Sequence, residues 1–427
     1  MYPDPLFSIT GPSTIHGSIA VAGAKNEALK LFAAALLADA PVTVRRTPDI
    51  EDVRRMVEMV RALGATVTGG PHEYTIDAAS LAVAELPEAL MGKLRAGLVL
   101  IGPLLHRFGK TVVSLPGGDV IGRRPIDFFI DGFRAFGVTV DEQPNAVRFT
   151  IVPSRIGASH YTFPFVSVTG TEALLLYAVR APGMTTLENV AMEPEVVALG
   201  EFLNACGARI DGLGTPTLRI DGVDRLAGGI VTCIPDRIEA VTFAAFVATC
   251  GGSLEITDCD PAHLRVPIAY LRAMGAVIEE GTTSLRVTVD GPLRSVSFRT
   301  HEYPGMATDF QPPLTVALTQ ASGVALVHET IYEGRLFYVD RLNRMGANII
   351  LCDPHRCVVA GPQRLYAAVL GSPDIRAGIA LVIAAAAAEG TSTIHNVYQV
   401  DRGFERIEAR LRAIGVRIER REGGTQS

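Results

Sequence analysis

One pattern recurs six times along this chain: a strand-like run, an amphipathic helix and a turn that begins Gly-Ala or Gly-Val. The intervals between successive turn glycines are 73, 70, 68, 71 and 69 residues, and these glycines are Gly64, Gly137, Gly207, Gly275, Gly346 and Gly415. Nearly the whole chain is therefore one unit in six copies, and repeated units of this kind bury a shared core by stacking. A residue that departs from the repeat is a candidate for function.

Each copy also carries a second helix, ahead of its strand, that is apolar on all sides. In the sixth copy this is SPDIRAGIALVIAAAAAEG, followed by the strand-like TSTIHNV and by an amphipathic helix with a stripe of Phe404, Ile407, Leu411 and Ile414. A helix without a polar face must be surrounded by protein. The sequence therefore predicts an α/β fold of two inside-out α/β barrel domains, each of three units, with the helices buried and the sheets outside.

The length of 427 residues favours two domains. The chain is expected to cross between them at Ala20 to Lys25 and again at Gly228 to Asp236. The strand-like segment FSITGPSTIHGSIAVAG precedes the first unit and has no earlier unit to join. We therefore predict a first domain over 24–234, with a lid loop, and a discontinuous second domain formed by 1–23 and 235–427.

The composition excludes several classes of function. A net charge of −6 argues against broad nucleic-acid binding, and six cysteines without compact spacing indicate a reduced, cytoplasmic protein. Cys352, His355 and Cys357 lack a fourth ligand nearby, so we predict no metal site. We also predict no cofactor. The segment MYPDPLFSITGP has neither a basic leader nor an apolar stretch of signal length, so we expect no signal peptide. The longest apolar runs, Leu94–Leu105 and Ala377–Ala388, are too short to span a membrane.

Polar residues stand at the start of every apolar helix. Cations there oppose the helix dipole, so Lys25 and Arg95 are not ordinary caps, and the pattern favours binding of an anion over structural pairing. Repeat symmetry places three such starts at one end of each domain, which predicts a polar cleft where the two ends face each other. The residues at these starts are Lys25 with Asn26, Arg95, Ser167 with Thr169, Asp236 with Arg237, Thr308 with Asp309, and Asp374 with Arg376.

The second copy is longer than the others. From the glycine before the strand to the turn glycine it takes 28 residues, whereas copies three to six take 24, 23, 23 and 25. The extra length lies in LPGGDVIGRRPID, where glycines surround Asp119 and the pair Arg123 and Arg124 follows. Such a loop is compatible with a plain surface turn, but its confinement to one copy favours a catalytic lid.

These segments together resemble the enolpyruvyl transferase family. The resemblance extends over essentially the whole chain and rests on GAKNEAL, LRAGLVLIGPLL, LPGGDVIGRRPID, EPEVV, IPDRIEA, YPGMATDFQ, SPDIRAG and DRGFERIEARLRAIG. The family fold is two inside-out α/β domains of three units, in agreement with the repeat. The resemblance implies transfer of the enolpyruvyl group from phosphoenolpyruvate to the 3′-hydroxyl of UDP-N-acetylglucosamine, the first committed step of peptidoglycan synthesis.

The resemblance also implies roles for individual residues. Asp119 would be the general acid, at a position usually held by cysteine, and Asp309 the base at the acceptor hydroxyl; Lys25, Arg124 and Arg402 complete the implied catalytic set. The residues implied to hold phosphoenolpyruvate are Lys25, Arg95, Arg124, Arg376 and Arg402. Those implied to hold the sugar nucleotide are Asn26, Arg95, Arg124, Pro125, Ile126, Asp127, Ser167, Val168, Thr169, Asp309 and Arg335.

Three departures and two alternatives accompany this interpretation. Aspartate in place of cysteine removes the thiolate that fosfomycin alkylates, which predicts resistance to that drug. Phe129 stands where the family commonly has histidine, and FVSVTGTEA departs from SVGATEN. The alternatives are transfer to a different nucleotide acceptor and a non-catalytic paralogue that binds sugar nucleotide. Shikimate 3-phosphate is disfavoured as acceptor, because GAKNEAL replaces an LPGDKS-type opening.

Overall fold

The computed structural model describes residues 5–114, 121–122, 126–151 and 157–422. The helices of these residues follow the predicted order, a buried helix and then an amphipathic one in each copy. The α-helices are α1 (Lys25–Ala35), α2 (Glu51–Ala62), α3 (Glu88–Met91), α4 (Ile101–Phe108), α5 (Asp127–Ala135), α6 (Val168–Ala178), α7 (Pro194–Ala205), α8 (Arg237–Cys250), α9 (Arg265–Met274), α10 (Gln311–Leu318), α11 (Val339–Arg344), α12 (Ile375–Ala387), α13 (Tyr398–Asp401) and α14 (Ile407–Ala413). Short 3₁₀ helices cover Arg95–Leu100, Pro261–Leu264, Thr308–Phe310 and Arg335–Tyr338.

The strands of the described residues are short and pair into small sheets. They are β1 (Leu6–Gly11), β2 (Ile15–Ala20), β3 (Val42–Thr47), β4 (Thr66–Gly70), β5 (His72–Asp77), β6 (Lys110–Ser114), β7 (Val138–Gln143), β8 (Ala146–Ile151), β9 (Ser159–Thr162), β10 (Met184–Glu188), β11 (Arg209–Asp211), β12 (Thr217–Asp221), β13 (Gly229–Thr232), β14 (Gly252–Thr257), β15 (Val277–Glu280), β16 (Ser284–Val289), β17 (Phe298–Arg299), β18 (Gly323–His328), β19 (Asn348–Asp353), β20 (Arg356–Gly361), β21 (Val369–Gly371), β22 (Gly390–His395) and β23 (Arg417–Arg421).

Each copy of the repeat contributes one sheet. Five sheets have four strands, in the orders β13-β3-β5-β4, β11-β12-β10-β9, β15-β16-β14-β2, β17-β18-β20-β19 and β21-β22-β1-β23, and the described part of the second copy forms β6-β8-β7. Each four-stranded sheet has one parallel pair, at the edge, and is otherwise antiparallel. A sheet of this kind has one face on the core and one towards solvent, which explains its alternating burial.

The chain divides into two compact units. The N-terminal unit comprises Gly23–Gly118 and Arg124–Ile234, and the C-terminal unit comprises Met1–Ala22, Asp119–Arg123 and Pro235–Ser427. Strands β1 and β2 belong to the C-terminal unit, because β1 pairs with β22 and β23 and β2 pairs with β14. The domain boundaries inferred from sequence stay a prediction; these units differ from them at Gly23 and at residues 121–122.

The core of each unit is helical, as the repeat predicts. In the C-terminal unit α8, α10 and α12 pack on one another, and in the N-terminal unit α1 and α4 both contact α6. Helix α12 shows the principle: Ile375 to Ala386 are all buried. The sheets lie outside these helices, which confirms the predicted fold class.

The turn glycines are confirmed as the ends of the amphipathic helices. All six have φ between 80° and 112°, a region that a residue with a Cβ adopts only at a cost. Cys352 is exposed, whereas the other five cysteines are buried or half-buried. In the part of the chain described, no helix is long and apolar enough to cross a membrane.

Candidate functional site

In the N-terminal unit, helix α1 begins with a buried cation. The Nζ of Lys25 lies 2.8 Å from Oδ2 of Asp52, and the two residues are 8% and 2% exposed. Ala24, the N-cap of α1, provides no side-chain cap. The positive charge of Lys25 is unfavourable at the amino end of a helix dipole, and the negative charge of Asp52, in the first turn of α2, compensates for it. Sequence analysis did not name Asp52, although an acidic first turn of α2 was visible.

A second ion pair lies one turn further along α1. The Nζ of Lys30 donates to the backbone oxygen of Asn26 over 2.6 Å and lies 3.1 Å from Oε2 of Glu172 on α6. Burial raises the pKa of Glu172 to about 7, although the charge of Lys30 lowers it. This pair fixes the backbone behind Asn26, a predicted sugar-nucleotide residue, and neither Lys30 nor Glu172 was found from sequence.

Glu27 ties the start of α1 to the end of the N-terminal unit. Its Oε2 accepts a hydrogen bond of 2.6 Å from the backbone N–H of Ile234, and the residue is 1% exposed. Burial is the main cause that raises the pKa of Glu27 to about 8, and the Ile234 hydrogen bond acts in the opposite direction. The ionised form is therefore penalised in the folded chain.

Replacing Glu27 with glutamine is expected to change how stability depends on pH. Because the folded pKa of Glu27 is raised above its ordinary 4.5, the folded state holds one proton more than the unfolded state between those values. Stability of the parent protein therefore falls as pH rises through this window. Glutamine keeps an oxygen for Ile234 and does not ionise, so the variant should gain about 2 kcal/mol relative to the parent between pH 6 and pH 8.

Thermal unfolding at several pH values measures this difference. The control is Glu88→Gln, since Glu88 is an exposed residue on α3 of the same unit, and its difference from the parent should not change with pH. Melting temperatures of the parent and Glu27→Gln that run parallel from pH 6 to pH 8 would contradict the role given to Glu27.

The other predicted residues of this unit lie at the starts of α4, α5 and α6. Arg95 is half-buried and opens the 3₁₀ helix that leads into α4. Ser167 caps α6, and its Oγ accepts from the backbone N–H of Gly170 over 3.2 Å. The two residues that follow, Val168 and Thr169, are half-buried in the first turn.

The start of α5 carries the remaining described residues of the predicted nucleotide set. Ile126 is half-buried as the N-cap of α5, and Asp127 is exposed in its first turn. Phe129 is 2% exposed and packs on Phe128 with ring centroids 4.6 Å apart. The side chain of Phe129 is thus part of the core.

In the C-terminal unit, Asp309 is held between two buried arginines. Nη2 of Arg335 donates to its Oδ1 over 2.5 Å, and Nη2 of Arg376 lies 3.2 Å from its Oδ2. The side chain of Asp309 is 24% exposed, whereas those of Arg335 and Arg376 are 3% and 6% exposed. Three predicted residues therefore meet, with the carboxylate on the accessible side.

A buried glutamate supports this cluster. Glu329 is fully buried, and its Oε2 accepts from Oγ1 of Thr308 over 2.9 Å, while Nε of Arg335 donates to the same hydroxyl over 3.2 Å. Burial raises the pKa of Glu329, and the charge of Arg335 opposes this. Burial also disfavours the charge on Arg335, but Asp309, Asp374 and Glu329 outweigh that effect and raise its pKa.

Two further buried arginines of the C-terminal unit lie near helix ends. Arg402 follows α13 and donates from Nη1 to Oε1 of Gln399 over 2.9 Å. Arg237 begins α8, with its guanidinium carbon 5.6 Å from the ring centres of both Tyr303 and Phe310. Arg237 and Arg402 are 6% and 7% exposed. Buried guanidinium groups with these neighbours are suited to planar, multiply charged anions.

Three predicted site residues lie outside the described residues: Asp119, Arg124 and Pro125. Their roles therefore rest on the sequence. The described part of the loop is Ile121 and Gly122, and the backbone oxygen of Ile121 accepts from the N–H of Gly334 over 2.9 Å.

The repeated fold, with buried cations at three of its helix starts (Lys25, Arg237 and Arg376), defines a class of α/β protein equipped to bind small anions. The chain belongs to the EPSP synthase (3-phosphoshikimate 1-carboxyvinyltransferase) family, whose profile matches residues 9–411. It is a 1-carboxyvinyl transferase, that is, an enolpyruvyl transferase.

Curated relatives match almost end to end. The chain is similar to "UDP-N-acetylglucosamine 1-carboxyvinyltransferase 3" of Caldanaerobacter subterraneus subsp. tengcongensis, 40% identical over 412 residues, which are 96% of this chain and 98% of that protein. It is likewise similar to the UDP-N-acetylglucosamine 1-carboxyvinyltransferase of Solibacter usitatus, 41% identical over 417 residues, 97% of this chain and 99% of that protein.

Solved structures show the same fold. The enolpyruvyl transferase NikO from Streptomyces tendae superposes with a TM-score of 0.89 at 26% identity, over 99% of this chain and 100% of that one. EPSP synthase from Acinetobacter baumannii superposes with a TM-score of 0.76 at 18% identity, over 98% of this chain and 100% of that one.

Proposed function

We propose that this chain transfers the enolpyruvyl group from phosphoenolpyruvate to the 3′-hydroxyl of UDP-N-acetylglucosamine and releases phosphate. The observation that carries this proposal is the similarity, at 40% and 41% identity over nearly the full length, to two proteins named for that reaction. The reaction is the first committed step of peptidoglycan synthesis. Its proposed place is the cytoplasm, and its proposed consequences concern cell shape and division.

Phosphoenolpyruvate carries a phosphate and a carboxylate on three carbons, so it needs several cations. The proposed set is Lys25, Arg95, Arg124, Arg376 and Arg402. Burial of Lys25, Arg376 and Arg402 supports this, because a buried cation interacts more strongly with an anion than an exposed one does. Arginine gives bidentate contacts to either acidic group, and lysine adds a point charge.

Addition of a hydroxyl across the double bond of phosphoenolpyruvate needs two proton transfers. The hydroxyl loses its proton as its oxygen bonds to C2, and the methylene carbon C3 gains one; loss of phosphate and of a proton from C3 then restores the double bond. We assign Asp309 as the acceptor of the hydroxyl proton and Asp119 as the donor to C3. The two-arginine contact of Asp309 supports its role by fixing the orientation of the carboxylate.

The acceptor would be held by the residues that follow the helix starts. The proposed set is Asn26, Arg95, Arg124, Pro125, Ile126, Asp127, Ser167, Val168, Thr169, Asp309 and Arg335. Asn26 is fixed through its backbone by Lys30, and the first turn of α6 by the Ser167 cap. Rigid support of this kind favours selection of one acceptor.

The second candidate is transfer to a different nucleotide acceptor. It is supported by the similarity to NikO, an enolpyruvyl transferase whose name does not specify the acceptor. Phosphate release from phosphoenolpyruvate should be measured with UDP-N-acetylglucosamine, UDP-glucose, UMP and shikimate 3-phosphate. We expect release with UDP-N-acetylglucosamine at a kcat/KM at least a hundredfold above the others, since sites built to bind a polar group reject analogues that lack it. Release with UMP alone would favour the second candidate, and no release with any acceptor would favour a non-catalytic protein.

A further inference from the structure

Four hydrogen bonds from the described residues reach the carboxylate of Glu329. Its Oε1 accepts from the backbone N–H groups of Ile331 and Tyr332, over 2.9 and 3.1 Å, and from Oγ1 of Thr300 over 3.1 Å. Its Oε2 accepts from Oγ1 of Thr308 over 2.9 Å. A protonated carboxyl group would bring a proton of its own into this set of donors, so the contacts fit the ionised form.

The bond to Thr308 fixes the orientation of that hydroxyl group. A hydroxyl has one proton to donate, and a guanidinium group donates but cannot accept. Thr308 therefore directs its proton to Oε2 of Glu329 and a lone pair to Nε of Arg335, which donates to Oγ1 over 3.2 Å. The carboxylate of Glu329 thus determines which side of the hydroxyl faces Arg335.

The same carboxylate also holds the backbone that carries Arg335. The N–H groups of Ile331 and Tyr332, which bind Oε1, stand at the start of a turn, and the N–H of Arg335 closes this turn on the carbonyl oxygen of Tyr332 over 3.1 Å. The 3₁₀ helix Arg335–Tyr338 follows. Arg335 is therefore fixed at two points, its backbone and its Nε, by groups that Glu329 binds.

Arg335 and Thr308 both link Glu329 to the assigned base. Nη2 of Arg335 donates to Oδ1 of Asp309 over 2.5 Å, and Asp309 follows Thr308 in one 3₁₀ turn. The carboxylate of Asp309 thus depends on Glu329 through the guanidinium group and through the backbone. Stability alone is a poor explanation for a second acid beside Arg335, because the desolvation of a buried charge is only partly offset by its partner.

We propose that Glu329 is a positioning residue: it orients Thr308 and Arg335 so that the carboxylate of Asp309 faces the hydroxyl whose proton it accepts. The inference rests on the proposed function and on the assignment of Asp309 as the base. Because Glu329 is fully buried, it acts through Asp309 and not by touching a substrate.

Removal of the Thr308 hydroxyl tests this route. Thr308→Val has nearly the shape of threonine but can neither donate to Glu329 nor accept from Arg335. Its kcat for phosphate release should fall between about tenfold and a hundredfold, the scale of a small misplacement of a reacting group. KM for phosphoenolpyruvate should stay within about threefold of the parent value, because the base acts in the chemical step. Thr308→Ser keeps the hydroxyl and should recover most of the lost activity.

The matched control is Thr249→Val. Thr249 is buried, and its Oγ1 donates to the backbone oxygen of Ala245 over 2.7 Å, near the carboxyl end of α8. This variant makes the same chemical change away from the helix starts. Its kcat should therefore equal that of the parent, even if its melting temperature falls.

Glu329→Gln tests the carboxylate itself. The glutamine oxygen can still accept from Ile331 and Tyr332, but the NH₂ group then faces Thr308, whose proton loses its acceptor at residue 329. We expect kcat to fall on the same scale as in Thr308→Val. Combining the two changes should add less than about threefold, because both break one route. All assays are run well below the melting temperature of each variant.

A folded Thr308→Val protein as active as the parent would overturn the proposal, and so would a double variant that loses the product of the two single losses. Equal losses of kcat in Thr249→Val and Thr308→Val would also overturn it, since they would show a general effect of losing a hydroxyl. If Glu329→Gln does not fold, the Thr308 variants decide alone. These results require an active parent, whereas a parent that releases no phosphate with any acceptor would overturn the proposed function and this inference with it.

Discussion

Replacing Asp309 with asparagine should lower kcat for phosphate release about a thousandfold, the scale of a lost general base. Asparagine cannot accept the proton of the acceptor hydroxyl at neutral pH. It also removes the negative charge between Arg335 and Arg376, which are almost fully buried. The measurement is steady-state phosphate release, with kcat and KM determined separately. The loss should fall mainly on kcat, because the base acts in the chemical step.

The control for this variant is Asp340→Asn. Asp340 also pairs with an arginine, through a 2.8 Å contact to Arg344, but both side chains are 68% exposed, and such pairs contribute little. Its activity should match that of the parent. Because the Asp309→Asn substitution leaves two buried cations with less counter-charge, melting temperature must be measured alongside activity. A folded Asp309→Asn protein with undiminished kcat would refute the assigned base.

Fosfomycin should leave the parent protein active, and Asp119→Cys should make it sensitive. A thiolate is a far better nucleophile towards an epoxide than a carboxylate, so the rate of inactivation is expected to rise at least a hundredfold. The measurement is time-dependent loss of phosphate release in the presence of fosfomycin, with phosphoenolpyruvate added to protect. Asp119 lies outside the described residues, and its role is a prediction from the loop sequence.

The parent already contains an exposed thiol, Cys352, which provides an internal control. Inactivation of Asp119→Cys should persist after Cys352→Ser, because the thiol at position 119 is then the one that reacts with the drug. Strong inhibition of the parent by fosfomycin would contradict the predicted resistance. Equal resistance of the parent and Asp119→Cys would argue against the loop as the location of the general acid.

The repeat could be predicted from sequence because its signals are local. An apolar helix, a β-branched strand and a glycine that ends a helix can each be recognised from a short stretch of sequence. Gly415, for example, was expected to end the last amphipathic helix and has φ 99°. The helix starts were placed correctly for the same reason: Asp236 and Asp374 cap α8 and α12.

The partners of the buried charges could not be predicted in this way. Lys25 pairs with Asp52, Lys30 with Glu172, and Thr308 donates to Glu329. Each pair joins residues of different elements, so the contact depends on packing that no periodicity encodes.

Leu326, Val358 and Ile350 align across the fifth sheet and form an apolar row on its outer face, and this row could have been predicted from the sequence. Ile350 stands four residues after its turn glycine, where the other copies have threonine, aspartate or glutamate. Loop length and the charges at helix starts do not show this departure from the repeat. Comparison of outward positions, copy by copy, does show it.

The pairing of β1 and β2 has a consequence for biosynthesis. These strands leave the ribosome well before the strands they pair with, since β14, β22 and β23 are made only after residue 251. At roughly 5 to 20 residues per second, β1 waits on the order of 20 to 80 seconds for β22, while the N-terminal unit is completed at Ile234. The two units therefore mature in sequence, and the nascent chain carries an unpaired strand that a chaperone can shield.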